Sequence, residues 1–165
     1  GDGSNSSDGR LIQTFEVGYE SRWFVNNPSG SWHDGPGNLG NGINITPKDS
    51  NNKILVRFHM NFGQVANWTQ AGVKIYRRIG SGSFSAQYGA GCSLFNNDRS
   101  GMHSTACAEY WDSPSTTSVI NYKLMFTAMN SGNYIRLNYG NLGSGGDNAS
   151  DHGPRSTLTV QEIAV

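Results

Sequence analysis

Two segments of this chain alternate apolar and polar residues with a period of two, and no other feature constrains the fold as strongly. In Lys53-Ile-Leu-Val-Arg-Phe-His-Met-Asn-Phe62, residues Ile54, Val56, Phe58, Met60 and Phe62 fall on one side. Lys53, Arg57, His59 and Asn61 fall on the other, and Leu55 is the one exception. In segment 119–129, Ile120, Tyr122, Leu124, Phe126 and Ala128 share a side. Successive side chains of a strand point to opposite faces, whereas a helix repeats every 3.6 residues. The pattern therefore indicates half-buried strands of antiparallel sheets.

The remaining segments fit the same class. Candidate strands cover 11–19, 23–25, 42–46, 53–62, 73–79, 83–88, 105–111, 119–129, 134–139 and 157–163, and no stretch carries an amphipathic helical repeat. About ten short strands joined by Gly- and Asn-rich turns mark an all-β sandwich or barrel. Ile79-Gly-Ser-Gly-Ser-Phe84 and Met129-Asn-Ser-Gly-Asn-Tyr134 both read as tight hairpins. Stretches 26–41 and 140–154 are too long for simple turns, and long loops in compact domains tend to be functional or interfacial. Residues 1–10 form a polar N-terminal segment, and 11–165 form a single domain with no internal repeat or dividing linker. A chain of 165 residues is long enough for a substantial core. Its start is polar, with Asp2 and Asp8, unlike the basic-then-apolar start of a signal peptide. Lacking an initiator Met, the chain reads as a processed product or an excised domain.

Charge narrows the partners. Twelve Lys and Arg balance twelve Asp and Glu, so there is no overall excess of base to neutralise phosphates or anchor the chain to an acidic membrane. Neither nucleic-acid binding nor membrane insertion is expected, and no apolar run approaches the roughly 20 residues of a spanning helix.

No motif in the sequence carries catalytic chemistry. There is no Gly-x-Ser-x-Gly elbow, and the Gly-rich run 140–146 lacks the Lys-Ser/Thr of a phosphate loop. Among the acids, Glu16 and Glu20 would lie about 13 Å apart on a strand, beyond the roughly 6.5–9.5 Å of an inverting glycosidase pair. Glu109 and Asp112 would point to opposite faces. Cys92 and Cys107 have no CxxC or Cys/His context, which argues against zinc. They form either a cross-strand disulfide, if 91–94 pairs with 105–108, or two free thiols. His59 sits on the polar side of its strand, as an ordinary surface or interface residue. The four Asn-x-Ser/Thr matches, at Asn5, Asn44, Asn67 and Asn148, are about what this Asn-, Ser- and Thr-rich composition yields by chance.

The two long loops hold the ligand-contacting candidates: Trp32, His33 and Asp34 in one, and Asp147, Asp151 and His152 in the other. A glycan or metal site drawn from both loops competes with the plainer reading of unrelated polar loop residues. Aromatic rings beside Asn and Asp suit sugar contact, and they suit a subunit interface equally well. No cofactor is expected, and no metal is expected to be needed for folding.

The ending Arg155-Ser-Thr-Leu-Thr-Val-Gln-Glu-Ile-Ala-Val165, entered from the Gly-rich 147–154 loop, resembles the C-termini of short jelly-roll domains in marine, cyanophage-type bacteriophage virion proteins. That resemblance implies an antiparallel jelly-roll β-sandwich like the tumour necrosis factor and complement globular-head domains. It also implies a homotrimer with the final strand lying centrally, near the three-fold axis. The function it implies is that of a non-enzymatic virion structural domain, the tip of a tail fibre or appendage that binds a host surface glycan or receptor beside other virion proteins. A capsid decoration protein and a glycan-degrading depolymerase are the alternatives. Apolar residues on both sides of strands also point to a covering second subunit: Leu55 beside Val56, Val119 beside Ile120, Leu124 beside Met125, and Ile135 beside Tyr134.

Overall fold

The computed structural model describes residues 9–27, 31–62, 69–94, 104–128, 133–138 and 155–165. In chain order the elements are β1 (Leu11–Tyr19), β2 (Trp23–Asn27), β3 (His33–Asp34), the one-turn helix α1 (Gly37–Asn41), β4 (Ile43–Ile45), β5 (Lys53–Phe62) and β6 (Thr69–Ile79). They continue with β7 (Ser85–Leu94), β8 (Ser104–Asp112), β9 (Ile120–Ala128), β10 (Asn133–Leu137) and β11 (Ser156–Ile163).

The strands form two antiparallel sheets, and the strand order defines a jelly roll. In the first sheet β11 lies between β1 and β5, and β8 pairs with the other side of β5. In the second, β9 pairs with β6 on one side and with the short β3 and β4 on the other, while β7 closes the far edge. Thus β1–β11–β5–β8 faces β4–β9–β6–β7, the interleaved order of two Greek keys.

The alternating segments face the core as their period requires. Ile54, Val56, Phe58, Met60 and Phe62 meet Ile120, Tyr122, Leu124 and Phe126 across the sandwich, and all nine are buried. Leu158 and Val160 of β11 join them. Leu55, on the outer side of β5, is also covered within the chain; Gln161 and Trp111 flank it in register. Val119, just before β9, is exposed.

Buried polar groups tie the layers together. Asp112, at the end of β8, reaches across the sandwich. Its carboxylate accepts two hydrogen bonds from Arg77 of β6, at 2.7 and 2.8 Å, and one from the Tyr122 hydroxyl of β9 at 2.6 Å. Burial, then the Asp112 hydrogen bond and charge, push the Tyr122 hydroxyl far above the usual tyrosine value. In the same register row as Asp112, across Ile54 on β11, the fully buried Glu162 carboxylate accepts from the Lys48 backbone N–H, the Asn52 amide and the Gln13 amide, at 2.6–2.7 Å. These bonds fasten the turn between β4 and β5.

A third cluster sits where β10 and β11 follow one another along the same edge of β5, with Leu137 paired to Phe62 and Thr157 to His59. Asn138 takes a left-handed conformation there (φ 57°), which Asn tolerates better than most residues. Its amide donates to the carbonyls of Tyr19 and Ser21, and its side-chain oxygen accepts from Ser156. Ser156 in turn accepts from the Asn61 N–H.

Several sequence expectations need correction. The segment flanked by Met129 and Tyr134 does not close a hairpin, because β9 and β10 belong to different sheets; residues 129–132 themselves lie outside the described set. The 79–84 hairpin does join the paired strands β6 and β7, and the Gly82 N–H bonds the Ile79 carbonyl. β7 runs six residues beyond its expected end, through glycines that read as turn signals, because β6 pairs with it along its length. Stretch 26–41 is only partly loop: it contains β3 and α1, whose Leu39 is buried. Segments 91–94 and 105–108 do not pair. The first pairs with β6 and the second with β5, and Cys107 is a free, exposed thiol.

Candidate functional site

Of the six ligand-contacting candidates, Asp147, Asp151 and His152 lie outside the described residues. Trp32, His33 and Asp34 are brought to the edge of the second sheet, where β3 pairs with β9. Strand alternation separates them. Asp34 is exposed on the outer side, opposite Met125, whereas His33 lies opposite the buried Phe126 and its Nε2 is buried without a partner. His33 is therefore not part of an exposed site with Trp32 and Asp34.

The outer face beside Trp32 is built by alternation in β6 and β9. Val73 and Ile75 turn into the core, which places Lys74, Tyr76 and Arg78 outside. Leu124 and Phe126 turn inward, which places Lys123 and Met125 outside. Register sets Lys74 opposite Met125 and Tyr76 opposite Lys123.

Two glycines make room for flat packing on this face. A β-carbon at Gly72 would stand 3.1 Å from the Trp32 ring, and one at Gly89 would stand 3.0 Å from the Lys74 side chain. With no side chain at either position, the indole lies over β6 and the lysine stem over β7. The Lys74 ammonium then sits 4.3 Å from the centre of the Trp32 ring. The turn before β7 folds Phe84 back over the same face. There its ring lies 4.6 Å from the Arg78 guanidinium and 4.3 Å from the Lys123 ammonium. Lys123 also donates to Asp34. The result is a half-buried platform of Trp32, Tyr76 and Phe84 interleaved with three cations and one carboxylate. Such surfaces attract rings and anions together.

The sequence pointed to Trp32 and Asp34 but not to Lys74, Arg78, Phe84 or Lys123. Those four come from three separate segments, and only the register of β6 with β9 and the turn into β7 bring them together. The usable signal was the Lys74-Ile-Tyr-Arg-Arg78 alternation, which marks an outward set with two cations around a tyrosine.

The outer face of the first sheet differs. Arg57, His59, Cys107, Glu109, Thr157 and Thr159 line a shallow groove of about 410 Å³. Two arginines of this face are held in ion pairs. Arg57 pairs with Glu109 at 3.2 Å, and Arg155 bridges Glu16 and Glu20 at 3.1 and 3.5 Å. Glu16 and Glu20 thus share an arginine, and their carboxylates lie closer together than the spacing expected along a strand, because Glu20 falls beyond the end of β1. Glu109 points outward and Asp112 inward, as their spacing requires. Among the described residues, no group of three or more His, Cys, Asp or Glu is placed to hold a metal ion.

No protein-family model and no curated protein matches the chain. Among solved structures it is similar to a chain in the structure of infectious bursal disease virus, Gx strain, at 12% sequence identity and a TM-score of 0.37. The alignment covers 94% of this chain and 38% of that one, so the chain spans well under half the length of its viral neighbour.

Proposed function

We propose that this chain is a non-enzymatic structural module of a phage virion: the tip of a tail fibre or surface appendage, displayed on the particle as a homotrimer that binds a host surface glycan or receptor. The position of β11 carries the reading. The segment whose sequence resembles the phage jelly-roll ending is an inner strand, paired with β1 on one side and β5 on the other. The resemblance expects the final strand there. A jelly roll of this order suits capsid and lectin roles by analogy of architecture.

Composition supports the same reading. Charged residues make up 15% of the chain, against about 25% in average proteins, and the strands are joined by Gly-, Ser- and Asn-rich connections. The aromatic and basic outer face of the second sheet supplies a contact surface. Other virion proteins are the remaining partners.

Light scattering on the purified chain tests the assembly. A particle of three 17.9-kDa chains is the expected result. A stable monomer at micromolar concentration would overturn the trimer and the tail-fibre reading with it. Co-purification with empty capsids in place of tail structures would replace the reading with capsid decoration.

A further inference from the structure

We infer that the outer face of the second sheet binds an acidic, carboxylate-bearing glycan across Trp32, Lys74, Tyr76, Arg78 and Phe84. The inference rests on the glycan-binding reading above and names its surface and ligand class.

Charge favours an anionic ligand on this face. The chain has zero formal net charge, but the two sheets do not share it evenly. The strands of the second sheet carry Lys74, Arg77, Arg78 and Lys123 against a single acid, Asp34. Arg77 turns inward to Asp112, and Lys123 is paired with Asp34. That leaves Lys74 and Arg78. Among the described residues neither has a carboxylate within ion-pair distance, and each is instead held beside an aromatic ring. On the outer face of the first sheet, by contrast, Arg57 is held by Glu109, and Arg155 by Glu16 and Glu20.

Shape narrows the ligand further. Lys74 and Arg78 stand four residues apart on one strand, about 13 Å, with Tyr76 between them. Trp32 and Phe84 flank the row. A ligand that meets this surface needs apolar ring faces to lie on the aromatics and anions spaced along its length to meet the cations. A uronate- or sialate-bearing oligosaccharide has both. Nucleic acid fits less well: its closely spaced phosphates reward many cationic contacts, and this face offers two unmatched ones.

The test uses the whole chain and a matched pair of probes, oligogalacturonate and its methyl ester, which present the same sugar rings with and without charge. These are run beside an array containing uronate-bearing, sialylated and neutral glycans. Acidic glycans are expected to bind, and their neutral or esterified counterparts to bind about tenfold more weakly or worse. Salt is expected to weaken the acidic binding. Lys74→Gln combined with Arg78→Gln should remove most of the preference for acid, and Trp32→Ala should lower binding to every hit. Arg57→Gln, on the other sheet, should change nothing. Thermal melts confirm that each variant is folded, and an unfolded variant is replaced by Lys74→Met or Trp32→Phe.

Equal binding of neutral and acidic probes, or binding untouched by the Lys74, Arg78 and Trp32 substitutions, would overturn this inference while leaving glycan binding intact. Tighter binding of a single-stranded oligonucleotide than of any glycan would also overturn it. No binding to any glycan would remove the glycan reading itself.

Discussion

Removing the Asp112 carboxylate should separate the two sheets energetically, and the expected cost follows from its partners. Asp112 is 4% exposed, and its carboxylate holds one residue on each of two strands of the opposite sheet. In Asp112→Ala the Tyr122 hydroxyl, fully buried, loses its acceptor, a penalty of about 1–3 kcal/mol. The Arg77 guanidinium loses its counter-charge. Its side chain is 22% exposed, so water partly compensates and its share falls short of a fully buried ion. Together these give a loss of about 3–5 kcal/mol, the usual range for breaking a buried pair from one side. For a chain of this length that corresponds to a melting point lowered by roughly 6–20 °C.

Tyr122→Phe alone should cost about 1–2 kcal/mol, because it removes the hydroxyl but leaves the Arg77 pair. Once Asp112 is gone the hydroxyl has nothing to bond, so the double variant should be little worse than Asp112→Ala. Urea unfolding of the four proteins, with an unchanged denaturant slope, gives the coupling directly, and about 1–2 kcal/mol is expected. Additivity within about 0.5 kcal/mol, or an Asp112→Ala loss below about 1 kcal/mol, would show that the network does not join the sheets as described.

Other substitutions probe the remaining supports. Phe126→Ala removes a fully buried ring packed 5.6 Å from Trp23 and 6.3 Å from Phe62; a loss of about 3–5 kcal/mol in chemical unfolding is expected, and wild-type stability would refute the core assignment. Glu162→Gln replaces an acceptor that serves three donors with a group that is half donor, so about 1–3 kcal/mol should be lost; an unchanged urea midpoint would contradict that network. The Tyr122 hydroxyl holds its proton more tightly folded than unfolded, where tyrosine ionises near 10.0. Stability should therefore be complete below about pH 10 and fall as pH rises beyond it, and Tyr122→Phe should flatten that slope. Urea midpoints measured on both sides of that pH test the sign.

The core was legible in the sequence, and the site only in part. Segments 53–62 and 119–129 announced their faces because each alternates over nine or more residues, and a one-residue slip would expose the whole apolar set. β7 was cut short because Gly89 and Gly91 read locally as turns. Only their pairing with β6, and the stem of Lys74 lying over Gly89, explain glycine inside a strand. The second expected hairpin failed for a related reason: a turn signal in 129–134 says that the chain reverses but not which sheet it enters. Trp32 and Asp34 stood out as an aromatic and an acid in a long stretch. His33 was grouped with them by adjacency, and strand alternation sends it the other way. Lys74, Arg78, Lys123 and Phe84 carried no local mark, because the platform exists only after β6, β9 and the turn into β7 are assembled. The apolar residues that suggested a second subunit do not behave alike: Leu55 is covered within the chain, whereas Val119 is exposed.

The proposed function requires contact without cleavage, and mass spectrometry of bound glycans tests for it. The intact chain is incubated with an array of bacterial surface glycans, bound glycans are identified, and the liquid above each is followed by mass spectrometry over hours. Specific retention on a subset of glycans, with every glycan keeping its starting length, is the expected result. Steady release of shorter oligosaccharides from the glycans that bind would contradict the account and identify the chain as a depolymerase.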